Sequence, residues 1–330
     1  MSQSKVKAII VPCKKIQKVL GYFTEENGYQ LDRIYPADDP SIIDISKGEK
    51  HIRLKRSEKG PFPNLELILN GHFDGLYIET IDLNPPVDVP EANSSFEITK
   101  MTDESPWIVG RVGMEYRNLM DHQNERFGAS HIRITEGGEL SDYVHYHQLR
   151  FQMIYCYKGW VKLVYEDQGA PFIMKAGDCV LQAPEIRHRV LECEKGLEVI
   201  EVNSPARHMT ARDHELKLPT ESSDPDRLFG GQRYIHYRGN YNHDDFGFFD
   251  ATNGVMAVGT LYPKEGIHMK NEYPFLFHFI LTGKCELEFE GIQPLSTGDC
   301  YVIPKNGEFS LSHCSEDLKI LEVREEVDHL

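Results

Sequence analysis

The sequence lacks the apolar runs that export and membrane insertion require. Its first twelve residues contain only one short apolar run, Ala8–Val11, flanked by lysines. A secretory signal needs about 7–15 apolar residues, and a membrane-spanning helix needs about 20. We therefore expect a protein without a signal peptide and without a membrane partner.

Paired cysteines are also missing. The chain has 7 cysteines, an odd number, and none of them forms a Cys-x-x-Cys spacing. In a chain of 330 residues this usage predicts reduced thiols rather than a disulfide framework, and it argues against a thiolate zinc site. These observations predict a cytoplasmic protein.

Positive charge is scarce. There are 36 Lys and Arg against 52 Asp and Glu, which gives a formal net charge of −16. Such a surface repels phosphate backbones, so nucleic acid is excluded as an expected partner. The hydrophobic share of 40% and the charged share of 27% are typical of a globular protein, and the length suits two domains.

The sequence contains an internal repeat. Residues 151–159 and 275–283 are both apolar runs that begin with Phe and end in Gly. In each copy a second apolar run, a Gly-Asp-Cys triplet, a proline and a last apolar run follow in the same order: 160–166, 177–179, 184 and 197–202, against 285–290, 298–300, 304 and 318–323. The period of about 120 residues predicts a duplicated domain rather than a solenoid.

Both copies favour β-strands. Runs of β-branched and aromatic residues alternate with Gly, Pro, Asp and Asn, and long helical periodicity is missing. Short strands at this spacing predict an all-β sandwich or small barrel. Gly159 and Gly283 are expected at hairpins that need a positive φ. The segments 115–117 and 236–238 precede the two copies at similar positions.

The region before the repeats is harder to interpret. Residues 65–69 and 75–81 have strand character, and the proline-rich segment 84–90 suggests an extended linker. The pattern leaves open whether residues 1–84 form a small domain or an extension packed on a barrel.

Three histidines are candidate metal ligands. His145 and His147 stand two apart in a segment of strand character, so both imidazoles should lie on one face. His188 follows in a second run, where an extended chain would place it on the same face as Ile186 and Val190. Three neutral imidazoles bind Fe²⁺, Mn²⁺, Ni²⁺ or Zn²⁺ and leave coordination positions open.

These residues resemble the two motifs of the cupin superfamily. His145, His147 and Gly159 match the first motif. The second motif is matched by Gly177, Pro184 and His188, with one extra residue between the glycine and the proline. Gln152 stands where the first motif has a glutamate. The resemblance spans about 115 residues in each half.

The resemblance implies an all-β bicupin fold of two tandem barrels, each a double-stranded β-helix or jelly roll. It divides the chain into an N-terminal extension and linker (1–95), a metal-binding barrel (96–215) and a degenerate barrel (216–330). It also implies one divalent metal ion, most often Fe²⁺, held by the three histidines, with Gln152 either a direct ligand or a hydrogen-bonding neighbour. Because glutamine is neutral, the site would keep a charge near +2 and favour an anionic, chelating ligand.

The function implied first is a dioxygenase or oxygenase that uses O₂ on a small anionic substrate. A non-oxidative isomerase, lyase or hydrolase with the metal as Lewis acid is the alternative, and a non-catalytic ligand-binding cupin is a third. No general base is evident near the motifs. Substrate contacts are expected from Tyr143, Arg150, Tyr155 and Cys156.

The second copy has lost the histidines. Counting in the same register, the motif positions fall on Met269, Asn271, Leu276 and Glu308. We therefore expect a barrel kept for packing or for a homodimer interface, with an apolar strand that contains Phe275, Phe277 and Phe279.

Overall fold

The computed structural model describes residues 5–36, 39–92, 94–110, 113–120, 125–239 and 245–327. Strands dominate this part of the chain and form two tandem barrels preceded by an N-terminal unit. The predicted all-β class is confirmed. Within the described ranges, no helix is long and apolar enough to cross a membrane.

The N-terminal unit is a five-stranded sheet with short helices. Its strands lie in the order β2-β3-β4-β1-β5, and β1 runs parallel to β4. The elements are β1 (Lys5–Cys13), α1 (Ile16–Gly21), a π-helical turn (Tyr22–Glu26), β2 (Gln30–Tyr35), β3 (Ile42–Lys47), β4 (Lys50–Arg56), α2 (Leu65–Leu69) and β5 (Tyr77–Asp82).

One strand prediction in this unit is wrong and the other is confirmed. Residues 65–69 form the helix α2, because the Asn64 side chain caps it by accepting a hydrogen bond from the Glu66 amide at 2.9 Å. The second segment forms β5, which pairs antiparallel with β1. A run of five apolar and acidic residues fits either state, and the cap decides between them.

The first barrel consists of two facing sheets, β14-β13-β16-β11-β18 and β15-β12-β17-β9-β8-β7, with β10 beside β16. Its strands are β7 (Ile108–Val109), β8 (Met114–Asn118), β9 (Gly128–Ile134), β10 (Gly138–Glu139), β11 (His145–Gln148), β12 (Phe151–Lys158), β13 (Trp160–Tyr165), β14 (Phe172–Lys175), β15 (Cys179–Leu181), β16 (His188–Cys193), β17 (Leu197–Ser204) and β18 (Met209–Arg212).

The N-terminal unit continues one sheet of this barrel. Thr210 and Ala211 on β18 pair with Ile34 and Arg33 on β2, so the five-stranded sheet and the barrel sheet are one hydrogen-bonded surface. The unit is thus both a folded body and an extension of the barrel, which answers the question that the sequence left open.

The second barrel repeats the first. Its sheets have the orders β22-β29-β24-β27 and β23-β28-β25-β26. The elements from the linker onward are β19 (Leu228–Phe229), β20 (Gln232–Arg233), β21 (Ile235–Tyr237), α3 (Phe248–Ala251), β22 (Met256–Leu261), β23 (Ile267–Lys270), β24 (Phe275–Thr282), β25 (Lys284–Glu288), β26 (Ile292–Ser296), β27 (Cys300–Val302), β28 (Glu308–Ser312) and β29 (Lys319–Glu325).

Corresponding strands share fine detail. A register shift interrupts the β12–β17 ladder between Cys156 and Lys158, and the β24–β29 ladder shifts between Ile280 and Thr282. The hairpin glycines that follow, Gly159 and Gly283, have φ values of 75° and 82°, as the sequence predicted. A Cβ at Gly283 would lie 2.8 Å from the Leu318 Cα, so glycine is required there for space as well as for φ.

Each barrel takes an edge strand from the other half of the chain. The strand β6 (Glu97–Thr99) pairs with β27 of the second barrel, and β21 pairs with β15 of the first. The likeness of segments 115–117 and 236–238 is therefore misleading, because the first lies in β8 beside β9, whereas the second lies at β21. The division of the chain at 95/96 and 215/216 stays a prediction. Both β6 and β21 pair with strands on the other side of the 215/216 boundary.

The two barrels pack through an apolar core. The rings of Phe127 and Phe275 stack with centroids 3.9 Å apart, and Phe277 and Phe279 belong to the same buried cluster. Packing is therefore one role of the phenylalanine strand. The interface also contains a buried carboxylate. Glu325 is fully buried and meets Arg126 at 2.7 Å and Arg150 at 3.1 Å.

We predict that Glu325→Gln lowers the free energy of unfolding by about 3–5 kcal/mol, because the change removes the carboxylate from two buried guanidinium groups. Urea denaturation followed by circular dichroism measures the effect. Glu308→Gln, on the exposed face of β28, is the control and should stay within about 0.5 kcal/mol. Equal effects of the two changes would show that the buried ion pairs contribute nothing specific.

Candidate metal centre

Two neighbouring strands bring the three histidines together. His145 on β11 lies directly opposite His188 on β16, and His147 is two residues along β11 on the same face. One ring nitrogen from each of the three lies within 4.8 Å of the others, and all three side chains are buried. The predicted convergence of the three imidazoles is confirmed.

Hydrogen bonds to Nδ1 fix the imidazoles. The Nδ1 atom of His145 lies 2.8 Å from the carbonyl oxygen of Tyr143, and that of His188 lies 3.0 Å from the carbonyl oxygen of Ile186. Because a carbonyl only accepts, Nδ1 donates in both cases, and Nε2 keeps the lone pair that a metal ion requires. The local chain thus sets the tautomer suited to binding a metal.

A hydroxyl and a carboxylate also lie next to the Nδ1 atoms of the histidines. Thr210 on β18 places its Oγ1 2.8 Å from the Nδ1 of His147. Asp142 is buried, and its Oδ2 lies 3.7 Å from the Nδ1 of His145 while accepting a hydrogen bond from the Val190 amide. The Asp142 carboxylate favours a His145 imidazole with the proton on Nδ1 and Nε2 turned to the site, and the Thr210 hydroxyl, which can donate or accept, orients the His147 ring.

Gln152 belongs to a chain of hydrogen bonds across the cavity wall. Its amide nitrogen donates to Glu201 at 2.7 Å, and its amide oxygen accepts from Gln182 at 2.6 Å. Gln182 in turn accepts from the hydroxyl of Tyr165 at 2.8 Å, and the Tyr165 ring stacks against His188. Gln152 as a direct metal ligand stays a prediction, and in this arrangement both ends of its amide are engaged by protein groups.

Sequence reasoning missed Glu201, Thr210 and His208. Glu201 is a carboxylate on the inner face of β17, and the His208 ring lies 5.1 Å from that of His147. None of these residues lies inside the two motifs. Only Glu201 could have been found from the sequence. It lies on the same face of β17 as Leu197 and Val199, so it is a carboxylate on a face that is otherwise apolar there.

The histidines open into a cavity of about 510 Å³. Its wall comes from both sheets of the first barrel and from Asp39, Ser41 and Arg56 of the N-terminal unit. Among the described residues of the wall, the charged ones are Asp39, Arg56, Glu201 and Arg207. Their formal charges cancel, so a dication at the histidines would dominate the local field.

The four residues predicted to contact substrate lie outside the described wall of this cavity. Tyr155 has the opposite parity to Gln152 and is buried in the core between the barrels, where burial raises the pKa of its hydroxyl. Arg150 is in the same interface, paired with Glu325 at 3.1 Å. Their roles in substrate binding stay predictions.

Of the other two, Tyr143 lies beside His145, and Cys156 lies in the apolar core of the first barrel. Tyr143 accepts the hydrogen bond from His145 through its backbone, and its ring packs under the Arg212 guanidinium. Cys156 shares the parity of Gln152 but is fully buried in the barrel core, and desolvation raises the pKa of its thiol to about 12. A thiol with this pKa stays protonated at neutral pH.

The second barrel offers no equivalent site in the described chain. Met269 on β23 lies opposite Phe309 on β28, as His145 lies opposite His188. Phe309, rather than the predicted Glu308, therefore takes the place of the third histidine. The loop after Pro304 is one residue longer than the loop after Pro184, so counting from the proline gives the wrong residue. His278 is buried, but it is hydrogen-bonded to Tyr301 and Glu322.

Comparison with known proteins supports the fold. No protein-family model and no curated protein sequence matches the chain. Among solved structures, salicylate 1,2-dioxygenase from Pseudaminobacter salicylatoxidans is 13% identical with a TM-score of 0.51, over 73% of this chain and 86% of that one. A mutant of Bacillus subtilis oxalate decarboxylase is 13% identical (TM-score 0.47, 74% and 79% covered), and protein Ylba from E. coli is 11% identical (TM-score 0.47, 74% and 94% covered).

Proposed function

We propose that this bicupin holds one divalent metal ion through His145, His147 and His188, and acts as an Fe²⁺-dependent dioxygenase or oxygenase on a small anionic substrate. One observation carries the proposal. Three buried imidazoles present ring nitrogens within 4.8 Å of one another at the wall of a cavity large enough for a small molecule.

The charge of the cavity supports an anionic substrate. Three neutral imidazoles and the neutral Gln152 leave the charge of a dication unreduced, and the described charged residues of the wall sum to zero. In a low-dielectric barrel this favours a carboxylate or enolate that approaches with two donor atoms. Arg207 on the cavity wall would also attract such a group, whereas Arg56 is already paired with Asp39 at 2.6 Å.

The protein would position the metal ligands and the substrate. The metal would supply Lewis acidity and, as iron, the O₂ chemistry. The Tyr143 and Ile186 carbonyls and the Thr210 hydroxyl orient the three imidazoles. Gln152 is held at the wall by Gln182 and Glu201, where it can hydrogen-bond to a bound substrate or complete the ligand set.

A second candidate is a non-oxidative isomerase or lyase. The observation that favours it is Glu201, which faces the cavity and accepts a hydrogen bond from Gln152. A carboxylate in this place could take a proton from a carbon next to a carbonyl, with the metal polarising that carbonyl. The two candidates differ in their need for O₂.

Removing a ligand should remove the metal. We expect about one equivalent of metal in the wild-type protein purified without chelators, and strongly reduced content in His145→Ala and His188→Ala, measured by elemental analysis. His268→Ala is the matched control, since His268 is an exposed histidine on β23, the counterpart of β11. Equal metal content in all four proteins would refute the ligand assignment.

The Thr210 hydroxyl should matter for affinity. Because it holds the His147 ring, Thr210→Val is expected to weaken metal binding about 10- to 100-fold. Thr210→Ser keeps the hydroxyl and should bind nearly as well as the wild type. Competition with a fluorescent chelator measures both. If the valine variant binds as tightly as the serine variant, the hydrogen bond does not orient the imidazole.

Oxygen uptake separates the two candidate reactions. The Fe²⁺ form should consume O₂ with at least one member of a panel of 2-oxo acids, diketones and thiols, and the Zn²⁺ form should not turn over the same compound. An oxygen electrode with product analysis measures this. Turnover by the Zn²⁺ form without O₂ would instead select the non-oxidative reaction.

A further inference from the structure

The inner wall of the first barrel changes from polar to apolar along the barrel axis. Cross-strand neighbours on β8, β9 and β17 form rows. The row at the level of Ile154, one pair beyond Gln152, is Asn118, Ser130 and Glu201. The next row is Tyr116, Ile132 and Val199, and the last is Met114, Ile134 and Leu197. All of these residues line the cavity.

The facing sheet changes at the same level. His188 on β16 is followed on the same face by Val190, about 7 Å further along the strand. Beside them on β13, Tyr165 pairs with His188 and Leu163 pairs with Val190. The space next to the histidines is therefore bounded by aliphatic side chains from both sheets. We call it the apolar chamber, lined by Ile132, Ile134, Ile154, Leu163, Val190 and Val199.

The apolar chamber borders open space, although four of its six residues, Ile132, Ile134, Leu163 and Val199, are buried and belong to the apolar cluster of the first barrel. Ile154 and Val190 face the barrel interior, yet both remain only half-buried, so their exposed surface lies on the cavity. Protein cores rarely hold voids larger than a water molecule. A volume of about 510 Å³ exceeds what one metal ion and a small head group require.

We infer that the ligand is a carboxylate with an aliphatic body, its head group at the histidines and its body in the apolar chamber. The position of the head group rests on the proposed function, whereas the position of the body rests on the lining of the cavity. A fully polar substrate, such as a short diacid, would leave this aliphatic surface wet or would bury a polar group against it. An aliphatic body removes both penalties and gains from each methylene that it buries.

A homologous series of 2-oxo acids tests the inference, because the chelating head stays constant while the chain grows. We expect the dissociation constant to fall about fourfold per added methylene, the factor for transfer of one methylene out of water. The gain should stop once the apolar chamber is full. The probe is the Co²⁺ form, whose visible spectrum reports the head group, titrated with acids of three to nine carbons.

Substitutions of Val199 change the chamber without touching the histidines. Val199→Phe should remove most of the gain with chain length, and Val199→Ala should let the gain continue to longer chains. An unchanged Co²⁺ spectrum of each variant without acid shows that the histidine site is intact, and the quantity compared is the ratio of dissociation constants between successive chain lengths. Calorimetry of His145→Ala should show weaker binding of every acid but the same ratio between successive chain lengths.

The outcomes separate the two claims. If the wild type binds Co²⁺ and the three-carbon acid but shows no gain with length, the inference is overturned and the proposed function stands. If no Co²⁺ binds, or if His145→Ala binds all the acids unchanged, the proposed function fails. A gain with length that survives in Val199→Phe would place the body outside the apolar chamber and would also overturn the inference.

Discussion

One sheet of the first barrel is covered on both faces, and the rest of the structure depends on it. Along β12, Phe151, Met153 and Tyr155 enter the core shared with the second barrel, while Gln152 and Ile154 face the cavity. The alternation of a strand thus assigns each residue either to the junction of the barrels or to the binding site. Burial of the outward face holds the inward face in place, so the second barrel supports the site although none of its described residues lines the cavity.

The parts that the sequence could predict are those that local periodicity determines. His145 and His147 share a face because they are two apart on a strand, and Gly159 sits at a hairpin because it tolerates a positive φ. The third histidine followed from the motif resemblance. The same rule places Tyr155 on the face of β12 that is turned away from Gln152. The sequence could therefore have indicated that Tyr155 points away from the cavity.

The remaining features depend on contacts between distant segments. Thr210 lies 63 residues from His147, and nothing near either residue signals their hydrogen bond. Arg150 meets Glu325 only because the barrels associate, and Asp39 and Arg56 reach the cavity only because β2 pairs with β18. Strands buried on both faces also lose the polar and apolar alternation that would reveal their partners. Such pairings are properties of the fold and not of any sequence window.

The exchanged strands make each half of the chain depend on the other. The strand β6 pairs at the edge of a sheet of the second barrel, and β21 pairs at the edge of a sheet of the first. Neither half of the chain therefore supplies all the strands of its own barrel. A gene split between the halves would yield two products with bare sheet edges, which invite aggregation. Each half therefore needs the other to complete its sheets, even though the three histidines come from the first half alone.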